Sequence, residues 1–250
     1  MSYGWIGGLI NTYPMLAIGD DEHLRRVART FDFALPRAKG ESGYYYDILQ
    51  PDGTVLNRDA AAVVPGVAVT RRNADVLYWM VKQFDLMKRM GKSDRIRPEW
   101  EDAVRKLADA FVRTWKEEGT WGNYLHVETG KVAVFNTTSG AMAAGGLALA
   151  AEYFSHPEYL EVAEQAASDF YRQFSIVGFT SGGCGDILQN SDSETAAALM
   201  TSLTTLYEKT GKADYLQQAQ DLAHLCASWT VSFDYRLPDD TPLAQLGANL

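Results

Sequence analysis

The sequence predicts an all-α fold of tandem helical hairpins, about four in number, each pairing a weakly charged inner helix with an amphipathic outer one. Three observations carry this: one helical pattern recurs four times, partner segments differ consistently in charge, and long aromatic, Gly-rich stretches separate the hairpins.

The outer segments are DDEHLRRVARTFDFAL from Asp20, RPEWEDAVRKLADAFVRTW from Arg97, HPEYLEVAEQAASDFYRQF from His156 and KADYLQQAQDLAHLCASW from Lys212. Aligned on His23, Trp100, Tyr159 and Tyr215, they place Val27, Val104, Ala163 and Ala219 four residues on. Thr30, Leu107, Ala166 and Leu222 follow, and then Ala34, Phe111, Phe170 and Cys226. This i, i+4, i+7, i+11 spacing is one stripe of a helix whose other face is charged and wet.

The inner segments begin at Tyr3, Asn73, Asn136 and Ser191 and are rich in Ala, Gly and Ser, which lets helix backbones approach closely. Asn, Ser and Thr at their starts supply N-caps, with Asn73 and Ser191 or Asp192 as examples. Gly91 and Gly211 supply C-terminal breaks. A near-apolar layer inside an amphipathic one buries both sets of apolar faces. The anchors fall 77, 59 and 56 residues apart. A ring of six hairpins would need roughly 350 residues at about 60 each, so the expectation is one domain over 1–250 forming an incomplete ring. A missing C-terminal portion or a second copy in a homodimer would complete it.

Of the 250 residues 46% are hydrophobic, enough for a substantial core, and the net charge of −9 repels phosphate backbones and anionic lipid. Nucleic acid and membrane partners are therefore not expected, and no stretch reaches the roughly 20 apolar residues of a membrane span. No signal peptide is visible, so the chain reads as cytoplasmic as written, or as secreted or periplasmic with its leader removed. Cys184 and Cys226 have no partner at ligand spacing, so no metal and no cofactor is implied.

Three long loops join an outer helix to the next inner one and so should open on the same end. The first carries a PDG turn at 51–53, the second alternates around an ETG turn at 128–130, and the third is too Gly-rich for strand or helix. Together they bring Tyr44, Tyr45, Tyr46, Asp47, Trp121, Asn123, Tyr124, His126, Asn136, Asp186, Asn190, Asp192 and Glu194 to one mouth. Aromatic faces beside carboxylates and amides suit a sugar; the alternative is that the aromatics pack the loops onto the helix ends.

The inner-helix opening NSDSETAAALMTSLTTLYEKTG, with the alternating helices and one-ended loops, resembles the (α/α)-toroid six-hairpin glycosidases. Within them it is most similar to unsaturated glucuronyl and rhamnogalacturonyl hydrolases. The resemblance implies glycoside hydrolysis of a polysaccharide-derived oligosaccharide, with an acid at an inner-helix start falling on Asp75 or Asp192. Such hydrolysis uses two carboxyl groups, one protonated and one ionised. Asp75 and Asp192 are the first choices, with Glu194, Asp47 and Asp186 behind them. Arg71 and Arg72 could read a substrate carboxylate. Competing readings make Asp192 an N-cap, Glu194 a first-turn acid, Asp75 a local partner of an arginine, and Asp47 and Asp186 turn formers. An α/α-toroid sugar epimerase or isomerase would need paired histidines, and His126 alone falls in a mouth loop. A non-catalytic glycan-binding scaffold is the third reading.

Overall fold

A computed structural model describes residues 9–56, 64–183, 190–230 and 238–247. Four hairpins follow in order: α1 (Thr12–Ile18) with α2 (Asp21–Arg37), α3 (Thr70–Arg89) with α4 (Pro98–Glu118), α5 (Ala141–Tyr153) with α6 (Pro157–Gln173), and α7 (Ser193–Thr210) with α8 (Ala213–Ala227). A short α9 (Pro242–Gln245) comes last. Helices α1, α3, α5 and α7 pack side by side as an inner layer, α1 on α3, α3 on α5 and α5 on α7, while α2, α4 and α6 line up outside them. The (α/α)-toroid architecture expected from the repeat is the one observed.

The outer stripe is buried where the spacing puts it. Val27, Val104, Ala163 and Ala219 are buried, as are Leu107, Ala166, Leu222, Ala34, Phe111 and Phe170. Two positions depart. Thr30 turns its hydroxyl onto the Arg26 carbonyl while Phe31 takes its place in the core, and Cys226 is only half-buried. The aromatic anchors do more than fill space. Trp100 Nε1 donates to Asp32 of α2, Tyr159 OH to Asp109 of α4, and Tyr215 OH to Glu164 of α6. Each outer helix is thus tied back to a carboxylate on the previous one, and the aromatic body is buried while its polar tip is satisfied.

Inside, α5 is apolar all round. Its small residues are a steric requirement: a Cβ on Gly145 would meet Ser202 Oγ at 2.8 Å, and one on Gly146 would meet Leu77 Cγ at 2.9 Å and the Tyr78 backbone N at 3.1 Å. Helix starts differ in kind. Asp20 caps α2 by accepting from His23 N, and Asp192 caps α7 by accepting from Thr195 N. Asn73, expected as a cap, lies inside α3, which starts three residues earlier at Thr70 because strand β3 (Val67–Val69) runs straight into it. Likewise α5 begins at Ala141, five residues after Asn136, whose φ of +60° is incompatible with a helix. Gly211 ends α7 with φ +71°, as its position predicts.

The loops gather at the end where inner helices start. The PDG turn closes β1 (Ile48–Leu49) onto β2 (Val55–Leu56), and the ETG turn closes β4 (Tyr124–His126) onto β5 (Val132–Val134), both antiparallel. The pairing of β3 with β4, which ties the first loop to the second, was not foreseen. The second loop is tied to the third by the Ser181 carbonyl, which accepts from Thr138 N and Oγ1.

Candidate active site

The mouth is built on the first turns of α3 and α7 and the approach to α5. Thr70 N donates to the Asn123 carbonyl at 2.9 Å and Arg71 N to Ser139 Oγ at 3.1 Å, so the start of α3 is pinned by the second loop. From there Arg71 reaches in two directions. Its Nε donates to Asp75 Oδ1 at 2.9 Å, one turn along, and its Nη1 donates to the Glu194 carbonyl at 3.0 Å. One buried guanidinium therefore joins the heads of two inner helices separated by 123 residues of sequence.

A second buried pair lies beside it. Asp47 Oδ1 accepts from Val69 N at 3.1 Å, and its Oδ2 stands 3.6 Å from Arg72 Nη1, both side chains almost wholly buried. Asn73 clamps the same loop, accepting from Tyr45 N at 2.7 Å and donating to the Tyr45 carbonyl at 3.0 Å. Buried charges persist only when paired, and removing one partner is costly. These pairs fix the first loop to α3.

Asp192 sits at the head of α7 with both oxygens engaged: Oδ1 accepts from Thr195 N at 2.7 Å and Thr195 Oγ1 at 3.0 Å, Oδ2 from Gly183 N at 3.0 Å. Its main chain pairs with Thr180. The capping reading is the one its contacts follow. Glu194 stands in the first turn with a half-buried side chain.

The remaining mouth candidates divide. Asn123 is buried, with both its side-chain Oδ1 and Nδ2 lacking hydrogen-bond partners and Oδ1 close against Gly182. His126 is half-buried on β4, Tyr124 is buried on the same strand, and Asn190 is exposed beside the α7 cap. Tyr46 lies at the rim, its hydroxyl donating to Glu128 Oε1 at 2.5 Å; burial and that carboxylate push it up to about 12.

Other aromatics are packing groups. Tyr44 is fully buried, bonded to Thr114 Oγ1 at 3.1 Å, and burial pushes its phenol up. Trp121 is fully buried among Phe111, Trp115 and Phe170, with Nε1 on the Phe111 carbonyl. Asn136 is exposed and borders a small cleft with Trp115, Asp169 and Phe174, facing the outer layer. Asp186 lies outside the described residues. Thr137, Thr138, Ser139 and Ser181, all buried at the mouth, were not singled out from the sequence, because hydroxyl residues in a Gly-rich loop carry no distinguishing pattern.

Among the described residues no cluster of three His, Cys, Asp or Glu could hold a metal ion, and no helix is long and apolar enough to cross a membrane. A cleft of about 610 Å³ lined by Leu16, Val27, Met87, Arg25, Arg97 and Trp100 opens at the opposite end, away from these carboxylates.

No protein-family model matches the sequence, and no curated protein does. Solved structures match its fold. A D-mannose isomerase is similar with TM-score 0.63 and 14% identity over 88% of this chain and 57% of that one. Cellobiose 2-epimerase from Spirochaeta thermophila gives 0.61 and 12% over 88% and 57%. An unsaturated glucuronyl hydrolase from Bacillus sp. GL1 gives 0.59 and 14% over 92% and 61%. The chain spans about three fifths of the length of these structures, and the likeness is one of fold.

Proposed function

We propose that the chain is a carbohydrate-active hydrolase that cleaves an oligosaccharide at the loop end of the inner layer. The observation that supports this best is Arg71, which holds Asp75 and the Glu194 turn to one point of the mouth. Asp75, ion-paired with Arg71, is the carboxylate that takes a proton from the attacking water. Glu194 is the acid that protonates the departing glycosidic oxygen as the bond to the anomeric carbon breaks. Asp192, with three donors on its two oxygens, positions that turn rather than moving protons. The fully buried hydroxyls before α5 brace this mouth from below, Ser139 Oγ accepting from Arg71 N and Thr138 Oγ1 donating to the Ser181 carbonyl. The whole-protein neighbours are named for both hydrolysis and sugar isomerisation or epimerisation, so the fold is compatible with either. Hydrolysis is favoured because His126 is the single histidine near this mouth, while His23, His156 and His224 belong to the outer layer. The test is reducing-sugar release from a panel of uronide and neutral oligosaccharides. Cleavage by the chain, lost in Asp75→Asn and Glu194→Gln with the fold retained, is expected; interconversion of sugars without cleavage would replace hydrolysis by epimerisation.

A further inference from the structure

The face of α3 that carries Arg71 and Asp75 continues with Tyr78 and Lys82, at i, i+4, i+7 and i+11, a polar stripe about 16 Å long at 1.5 Å per residue. Its deep end has a composition unlike the rest of the inner layer. Lys82 is half-buried, with Nζ 3.3 Å from the Tyr78 hydroxyl, 5.2 Å from the Tyr78 ring centre and 5.9 Å from that of Trp79. Among the described residues it makes no ion pair, although most inward cations of this chain, such as Arg71 and Arg72, are matched by a carboxylate.

The surroundings define which way this group looks. Trp79 packs edge-on against Tyr13 of α1 at 5.3 Å, and the Tyr78 hydroxyl lies 3.4 Å from Thr205 Oγ1 of α7. Lys82 thus stands between the α1 flank and the α7 flank, on the concave side of the layer, and Tyr13 and Trp79 are only half-buried beside it. A half-desolvated ammonium framed by aromatic rings attracts an anion more strongly than an exposed one, since the low local dielectric weakens screening. The rings offer apolar faces to the C–H side of a sugar.

We propose that Tyr13, Tyr78, Trp79 and Lys82 form a subsite for a pyranoside bearing one anionic group, a carboxylate or a phosphate, with the sugar ring on Trp79 and the anion on the Lys82 ammonium. The subsite rests on the carbohydrate reading for the ring and deepens it by naming the charge of the substrate. It does not depend on Asp75 or Glu194.

The experiment is ligand-observed NMR of the full chain with D-glucuronate, D-glucose 6-phosphate, D-glucose and inorganic phosphate. At least one anionic sugar is expected to bind about tenfold tighter than glucose, the worth of one charge-assisted hydrogen bond. Lys82→Gln should bring that sugar down to the glucose level, Lys82→Arg should keep the preference, and Trp79→Ala should weaken all three sugars. The relative affinities of glucuronate and glucose 6-phosphate identify the anion. Equal binding of anionic and neutral sugars, no binding of either, unchanged anion affinity in Lys82→Gln, or inorganic phosphate binding as tightly as the sugar phosphate would each overturn the subsite. If Lys82→Gln changes nothing while Asp75→Asn abolishes cleavage, the subsite falls and the hydrolase reading stands. An anion preference that tracks Lys82 in a chain whose Asp75→Asn variant still cleaves supports the subsite and removes the catalytic assignment.

Discussion

Two neighbouring inner helices, α3 and α5, solve the same packing problem in opposite ways. Helix α5 has no charged residue before Glu152 and uses Gly145 and Gly146 to let Ser202, Leu77 and Tyr78 come close. Helix α3 buries Arg71, Arg72, Asn73, Asp75 and Gln83, each matched by an ion pair or hydrogen bond. The difference teaches where the molecule tolerates polar burial: α5 is small enough at its surface that side chains of α3 and α7 meet past it, as Arg71 with the Glu194 carbonyl and Tyr78 with Thr205 do.

The contrast can be broken at several points. The largest effect expected is on activity: Asp75→Asn keeps an acceptor oxygen for Arg71 Nε but removes the base, and should lower kcat on a cleavable oligosaccharide by about 10²–10⁴-fold, checked by steady-state kinetics on the folded variant. Next is Arg71→Met, which takes away a buried partner of Asp75 and should lower unfolding stability by about 3–5 kcal/mol in denaturant titration. On the α5 side, Gly146→Val should cost about 1–3 kcal/mol by overpacking against Leu77 and the Tyr78 backbone, read in the same titration. Asp192→Ala removes the α7 cap and should cost about 1–2 kcal/mol.

The smallest effect lies at the far end of α3. Burial holds the Asp85 carboxyl above its ordinary range, with Lys209 and Lys88 pulling it back. The folded chain therefore binds that proton more readily than the unfolded one, and stability is lost as pH rises through the folded value. Asp85→Asn should be slightly more stable than the parent at neutral pH, with the gap closing below the ordinary carboxylate range, as thermal melts across pH would show.

The hairpins were legible because burial imposes a period: the stripe through Val104, Leu107 and Phe111 can be read without coordinates. Two loop hairpins were legible from their PDG and ETG turns. Strand β3 was not, since three residues that pair with a loop over fifty positions later leave no local pattern. That strand also moved the start of α3 from Asn73 to Thr70 and placed Arg71 and Arg72 inside the helix. At the mouth, Asp75 and Asp192 could be picked as helix-head acids, but capping and catalysis ask for the same residue type at the same place. Tyr44 and Trp121 show the matching ambiguity for aromatics, which pack loops as readily as they line a site. The Lys82 stripe leaves no mark in the sequence because it emerges only when α1 packs beside α3 and Thr205 of α7 reaches the Tyr78 hydroxyl.

The central claim is that the heads of α3 and α7 share one site. It is tested most directly by oligosaccharide cleavage with Asp75→Asn, Glu194→Gln and the double variant, alongside circular dichroism of each. The account predicts that either single change removes nearly all cleavage from a folded chain and that the double variant is scarcely worse, since the two groups act as a unit. Full cleavage by either folded single variant would contradict it.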